Sequence, residues 1–257
     1  MSHRRLILDQ FTRQAALFST AAPITDADAL RMIVEAAEPG LEDTVLDVAC
    51  GGGLVVCAFA PHVKQATGID VTPAMLERAR QLAAQKGITN AHWRQVDVNS
   101  LPFSDGSFTI VVTRFAVHHF PDPAAVLREM VRVCAPGGRI VVVDMYASEV
   151  AAKAAEFNRL ERLRDPSHIR TLTLAELKEL FAQAGLSEPQ ASFYELRDEV
   201  GNLLARSFPE PGDDIKIIET FRASADDDRL GIPIRLDGDR IHYAYPVAIL
   251  AARRALR

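Results

Sequence analysis

Two hydrophobic patterns alternate along the first 147 residues, and each predicts its own kind of element. Stretches at 45–48, 68–71, 95–98, 109–113 and 139–145 read as strands or strand ends, punctuated by glycine, proline or aspartate. Between them lie helical patterns. Residues 4–19 place Leu6, Phe11, Ala15 and Phe18 near one face, and a second helix over 26–37 is stopped by Pro39-Gly40. Thr72 stands where it can cap a helix over 73–85 that opens on Pro73 and ends at Gly87. A helix over 123–133 breaks at Ala135-Pro136-Gly137-Gly138. Two more follow, over 149–163 and over 173–184, the latter with Thr173 as its cap and Gly185 as its stop. This alternation specifies an α/β fold, a parallel sheet with helices on both faces. No internal repeat or separate second domain interrupts it.

The chemistry concentrates where the first strand ends. Val45-Leu46-Asp47-Val48-Ala49-Cys50-Gly51-Gly52-Gly53 carries a carboxylate out of the strand into a triple-glycine turn, a turn suited to a nucleoside cofactor. The dinucleotide spacing is not met, because the position for its third glycine is Val56. A fixed carboxylate before the glycines repels a pyrophosphate and attracts an ammonium group. S-adenosylmethionine (SAM) carries such an ammonium.

Three further segments extend the pattern. Gly68-Ile69-Asp70-Val71-Thr72 ends a second strand with an acidic residue, and Gln95-Val96-Asp97-Val98 ends a third in the same way. Leu101-Pro102-Phe103-Ser104-Asp105-Gly106-Ser107-Phe108 then leads into the fourth strand, which is followed by Arg114-Phe115-Ala116-Val117-His118-His119-Phe120-Pro121-Asp122-Pro123. In this order the segments resemble class I SAM-dependent methyltransferases, in particular the small-molecule branch typified by ubiquinone and menaquinone biosynthesis methyltransferases. The resemblance is strong over about residues 40–147 and weak elsewhere.

It implies a Rossmann-like sheet of seven strands, mostly parallel with an antiparallel last strand. Residues 190–196 and 240–251 would supply the final antiparallel pair. The whole chain is expected to form one methyltransferase domain: a helical cap over 1–40, a SAM-binding core over 41–147 and a C-terminal half over 148–257. An insertion over 197–239, with two helical segments, would be the acceptor lid. Asp47, Ala49, Gly51 and Gly53 would bind the amino-acid end of SAM. Asp70 would accept from the ribose hydroxyls, with Val71 beside it, and Asp97 with Val98 would hold the adenine. Arg114 would frame the methionine moiety.

Methyl transfer from a sulfonium asks the protein mainly to position two molecules and exclude water. A general base is needed only for an acceptor that still holds its proton at neutral pH. His119 and His118 are the candidates, His119 first, with packing over the cofactor as the alternative for both. Phe11 and Phe18 sit where the resemblance implies an aromatic over the cofactor; both lack hydroxyls, which argues against proton transfer from the first helix and leaves pocket closure or plain helix packing as their role.

Composition bounds the setting. A net charge of −5 gives no general attraction to nucleic acid. The apolar stretches are too short to span a bilayer and no apolar core follows His3-Arg4-Arg5, so no membrane insertion and a cytoplasmic location are expected. Cys50, Cys57 and Cys134 have no metal-ligand spacing, and Asp226-Asp227-Asp228 lies among arginines that can screen it. No metal site is expected. The expected partner is a small-molecule acceptor, methylated at carbon or oxygen, and a homodimer is left open. Two rivals share the fold: a SAM-binding enzyme that is not a methyltransferase, such as a carboxy-SAM synthase or a cyclase, and a non-catalytic partner subunit.

Overall fold

The computed structural model describes residues 2–256. Five strands form in the order the apolar pattern predicts: β1 (Thr44–Val48), β2 (Gln65–Asp70), β3 (Ala91–Gln95), β4 (Phe108–Arg114) and β5 (Cys134–Met145). All pair in parallel, β2 and β4 flanking β1, β3 outside β2, and β5 outside β4. Strand order therefore reverses at β1, and a crevice opens beyond the carboxyl ends of β1 and β4, where ligands of such sheets sit.

The helices follow their sequence signals: α1 (His3–Phe18), α2 (Ala27–Ala36), α3 (Leu54–Phe59), α4 (Pro73–Gln85), α5 (Pro123–Val133), α6 (Ala151–Arg164) and α7 (Leu174–Gln183). Asp26 and Asp122 cap α2 and α5 through their side chains, and Thr173 with Glu176 forms a capping box on α7. Thr72 does not cap α4 with its side chain. The Asp70 carboxylate takes over that turn by accepting from Thr72 N at 2.8 Å, and the Thr72 hydroxyl is buried without a partner.

The C-terminal half adds β6 (Gln190–Glu199), α8 (Val200–Ala205), α9 (Asp213–Asp227), β7 (Ile234–Asp237) and β8 (Arg240–Arg253). β8 lies between β5 and β6 and runs antiparallel to both. The sheet has eight strands rather than the expected seven, because 234–237 folds back through a tight turn at Gly238 and pairs with the start of β8. Segment 197–239 is thus the end of β6, two helices and a short strand. Its α9 packs on α6, where Arg159 donates to Thr220 at 3.3 Å.

Both faces of the sheet are covered by apolar side chains, Phe59, Phe157 and Phe221 on one and Met130, Leu127 and Phe181 on the other. Packing beside the crevice is close. A Cβ on Gly68 would stand 2.7 Å from the Trp93 ring and 2.8 Å from Cys50 Sγ. Gly68→Ala is expected to cost about 1–3 kcal/mol in a urea unfolding titration, as overpacking does in tight cores.

Candidate active site

A cavity of about 340 Å³ fills the crevice beyond β1, β2 and β4. Asp47, Ala49 and Gly51 line it from the first turn, Asp70 and Val71 from the second strand end, Asp97 and Val98 from the third, and Arg114 from the fourth. Eight of the nine residues expected around a cofactor therefore meet in one place. Gly53 is the exception. It caps α3 at φ +80°, and a Cβ there would stand 2.6 Å from Trp93 and 2.7 Å from Ala79. Its lack of a side chain serves packing beneath the turn.

Two non-glycine residues at the strand ends adopt the left-handed region, Ala49 at φ 60° and Phe115 at φ 54°. Such backbone costs roughly 1–2 kcal/mol per residue, and it persists where the surrounding structure fixes it. Here Cys50 N donates to Ile69 O and Phe115 N to Val143 O, both at 2.8 Å, which pins each turn to its neighbouring strand.

The electrostatics of the wall are unbalanced. Asp47 is 1% exposed, and neither carboxylate oxygen has a hydrogen-bond partner. Burial, and then the adjacent Asp70, push its carboxyl well above the usual carboxylate range, while Arg114 pulls it down. Asp70 is also raised by burial, against the pull of its backbone bonds; it accepts from Gly51 N at 2.9 Å and Thr72 N at 2.8 Å. Arg114 donates through Nη1 to Ile24 O at 3.0 Å, and its buried Nε and Nη2 have no partner. Asp97 is only half-buried and accepts from Asn99 through Oδ1. An orphaned carboxylate beside an orphaned guanidinium edge fits a zwitterionic amino-acid group, which is what SAM carries at its methionine end.

A second cavity, of about 70 Å³, adjoins the first behind Phe11, Phe18, Ile24, Phe115 and His119, which line both. α1 lies across the two, with His3 Nε2 2.8 Å from His119 O. α2 supplies no lining residue, so the expected cap reduces at the cavities to α1, Ser19 and Ile24. From segment 197–239 only Leu203 and Arg206 reach the second cavity.

The histidines divide. His119 Nδ1 lies 3.0 Å from Ser167 O, and its ring meets Phe11 edge-on at 5.0 Å. His118 lines only the smaller cavity, and its Nδ1 lies 2.7 Å from Asp144 Oδ1. Sequence reasoning missed Asp144, although a lone carboxylate in the apolar run of β5 is a signal. It also missed Ile7, Asn99 and Gln14, whose arrival depends on tertiary packing. The rings of Tyr243 and Tyr245 lie 4.5 Å apart, tilted by 44°, and the Tyr245 hydroxyl donates to Glu161.

Burial, and then His118, push the His119 imidazole down to about 4 from its ordinary 6.5, with Asp165 opposing them. The unfolded chain then binds this proton at a higher pH than the native one does, so the stability gained from neutral His119 is complete above pH 6.5 and is lost as pH falls toward 4. Urea titrations across that window should show wild type losing up to about 3 kcal/mol more than His119→Asn.

Comparisons with known proteins identify the family. The family model described as a methyltransferase domain matches residues 46–142. The methyltransferase YcgJ of Bacillus subtilis (strain 168) is 31% identical over 242 residues, which is 93% of this chain and 96% of that protein. The chain belongs to the class I SAM-dependent methyltransferases. The crystal structure of YcgJ covers 89% of this methyltransferase and 98% of its own chain, with TM-score 0.82 at 32% identity. Partial relatives include a phosphatidylethanolamine N-methyltransferase of Cereibacter sphaeroides, 37% identical over 47% of this chain and 60% of its own. A tocopherol O-methyltransferase of Arabidopsis thaliana is 35% identical over 46% of this chain and 36% of its own. SAM is the cofactor of this methyltransferase. Among the described residues no helix is long and apolar enough to cross a membrane, and no cluster of three His, Cys, Asp or Glu could hold a metal ion.

Proposed function

We propose that this methyltransferase transfers the methyl group of SAM to a small, largely apolar organic acceptor, at oxygen or at carbon. The observation that carries the reading is the smaller cavity: it is closed by Phe11, Phe18, Phe115 and Met145, adjoins the cofactor cavity, and has two histidines in its wall. A mostly apolar recess opening off the cofactor cavity suits the end of a small molecule better than a polymer. The two partial relatives named above differ, by their names, in whether nitrogen or oxygen is methylated, and each matches about half of this chain. What distinguishes acceptors therefore belongs to residues outside a shared methyltransferase half, which supports assigning selection to α1 and α8.

SAM supplies an activated methyl group on a sulfonium. In our reading, Asp47 takes the ammonium and the free edge of Arg114 takes the carboxylate, while Ala49 and Gly51 let the backbone approach the amino-acid end. Asp70 accepts from the ribose with lone pairs not used by Gly51 and Thr72. Val71, Asp97 and Val98 enclose the adenine. Gly53 shapes the turn from below. Phe11 and Phe18 exclude water from the methyl group, and His118 and His119 stand on the acceptor side.

Incubation with methyl-labelled SAM and a panel of phenols, enols, amines and thiols tests the reading. Label on phenolic or enolic acceptors, each heavier by one methylene, is the expected outcome. Label confined to amines or thiols contradicts it.

A further inference from the structure

Three features of the smaller cavity are left over once it is taken as the acceptor's seat, and the inference rests on that reading. Asp144 is 1% exposed and accepts three N–H bonds: from His118 Nδ1 at 2.7 Å, His118 N at 3.2 Å and Met145 N at 2.8 Å. With Asp144 accepting from Nδ1, the ring proton of His118 is fixed there and Nε2 keeps its lone pair. Nε2 has no hydrogen-bond partner among the described residues. Across the same space Gln14 of α1 is 2% exposed, and its amide Nε2 is buried without a partner. Buried amides of this kind are rare unless something else completes them.

We propose that the cavity is built for a hydroxyl flanked by a second oxygen, with His118 as the base that takes the hydroxyl proton, Asp144 as its positioning residue, and Gln14 as donor to the second oxygen. The acceptor class is then a phenol or enol carrying a neighbouring hydroxyl or carbonyl. The O–H bond breaks, its proton passes to His118 Nε2 and later to solvent, and the electron pair stays on the acceptor. From oxygen that pair attacks the methyl carbon as the bond from carbon to sulfur breaks, leaving S-adenosylhomocysteine. From a conjugated carbon the same attack is followed by passage of that carbon's own proton to solvent, its bonding electrons restoring the conjugated system.

The neighbours favour His118 over His119. The titratable and charged groups around it are Asp144, the rings of His119 at 4.3 Å and His168 at 5.4 Å, and, in the same cavity wall, Arg164, Asp165, Arg206, Tyr243 and Tyr245. His119 and His168 are both pushed down, chiefly by burial, and so stay neutral and weakly basic. His119 has a backbone carbonyl on Nδ1 where His118 has a carboxylate, and a carboxylate stabilises the imidazolium that forms.

The test uses chromophoric probes on the whole chain saturated with S-adenosylhomocysteine. 4-Nitrophenol is titrated below its own ionisation pH, and its absorbance reports whether the bound form is phenol or phenolate. Wild type is expected to bind it as phenolate, His118→Asn and Asp144→Asn as neutral phenol, and Asp144→Glu to restore the phenolate spectrum. 4-Nitrocatechol, with its second oxygen, should bind at least about tenfold more tightly than 4-nitrophenol, and Gln14→Leu should erase that difference. Wild type binding the probe as neutral phenol, or failing to bind it at millimolar concentration, overturns the proposal whether or not a variant folds. So does a phenolate spectrum that survives in folded His118→Asn. Label confined to amines or thiols in the methyl-transfer panel would instead mark failure of the broader reading.

Discussion

Asp47→Asn should weaken binding of S-adenosylhomocysteine by about 2–5 kcal/mol, the usual loss when one partner of a buried charge pair is removed. The Asp47 carboxylate is 1% exposed, bonds to nothing in the protein, and sits beside a second carboxylate, Asp70. An arrangement that is unfavourable in the empty protein becomes favourable when an ammonium enters, because attraction at low dielectric is strong and the desolvation of Asp47 is already complete. Two controls separate this from general damage. The melting temperature of ligand-free Asp47→Asn should be at or above that of wild type, since the desolvation and the repulsion from Asp70 that disfavour the carboxylate there are relieved. Its affinity for 5′-methylthioadenosine, which lacks the amino-acid end, should be unchanged. Equal loss for both nucleosides would place the effect in the turn rather than at the ammonium.

Glu161→Ala should destabilise the fold by about 3–5 kcal/mol in urea titration, the range for stripping one member from a buried ionic group. Glu161 is fully buried; it accepts from Tyr245 Oη at 2.6 Å and pairs with Arg164 at 2.6 Å. Against the pull of burial, Glu161 and Asp165 hold the Arg164 guanidinium firmly charged. Burial and Glu161 likewise keep the Tyr245 hydroxyl protonated, as its donated bond requires. Alanine would leave Arg164 half-compensated and Tyr245 without an acceptor. Glu161→Gln, which keeps an acceptor for Tyr245, should lose distinctly less. A loss below about 1 kcal/mol in the alanine variant would show that water replaces the carboxylate there.

The parts of this molecule that can be read from the chain are those governed by local rules. A strand end followed by glycines, aspartates at the second and third strand ends, and proline or threonine at helix starts each act within a few residues, and the core formed as they predict. Residues whose role depends on distant partners were less visible. Gln14 looks like an ordinary polar position on an amphipathic helix until the fold places it in one cavity wall with Ile24 and residues of β8, and Glu161 looks like a surface charge until Tyr245 meets it from 84 residues away. Asp144 was legible in principle, because a carboxylate inside a buried apolar strand needs a partner. Within the triple glycine, Gly51 lines the cavity, whereas the missing side chain of Gly53 makes room for Trp93, a distinction the motif does not carry. The extra strand at 234–237 escaped because four residues carry too little alternation to register.

The central claim is that the crevice holds the zwitterionic end of a sulfur nucleoside between Asp47 and Arg114. Calorimetric titration of the purified chain with SAM, S-adenosylhomocysteine and NAD in parallel tests it most directly. Saturable binding of both sulfur nucleosides with no heat from NAD is the predicted result; binding of NAD in their place would contradict it.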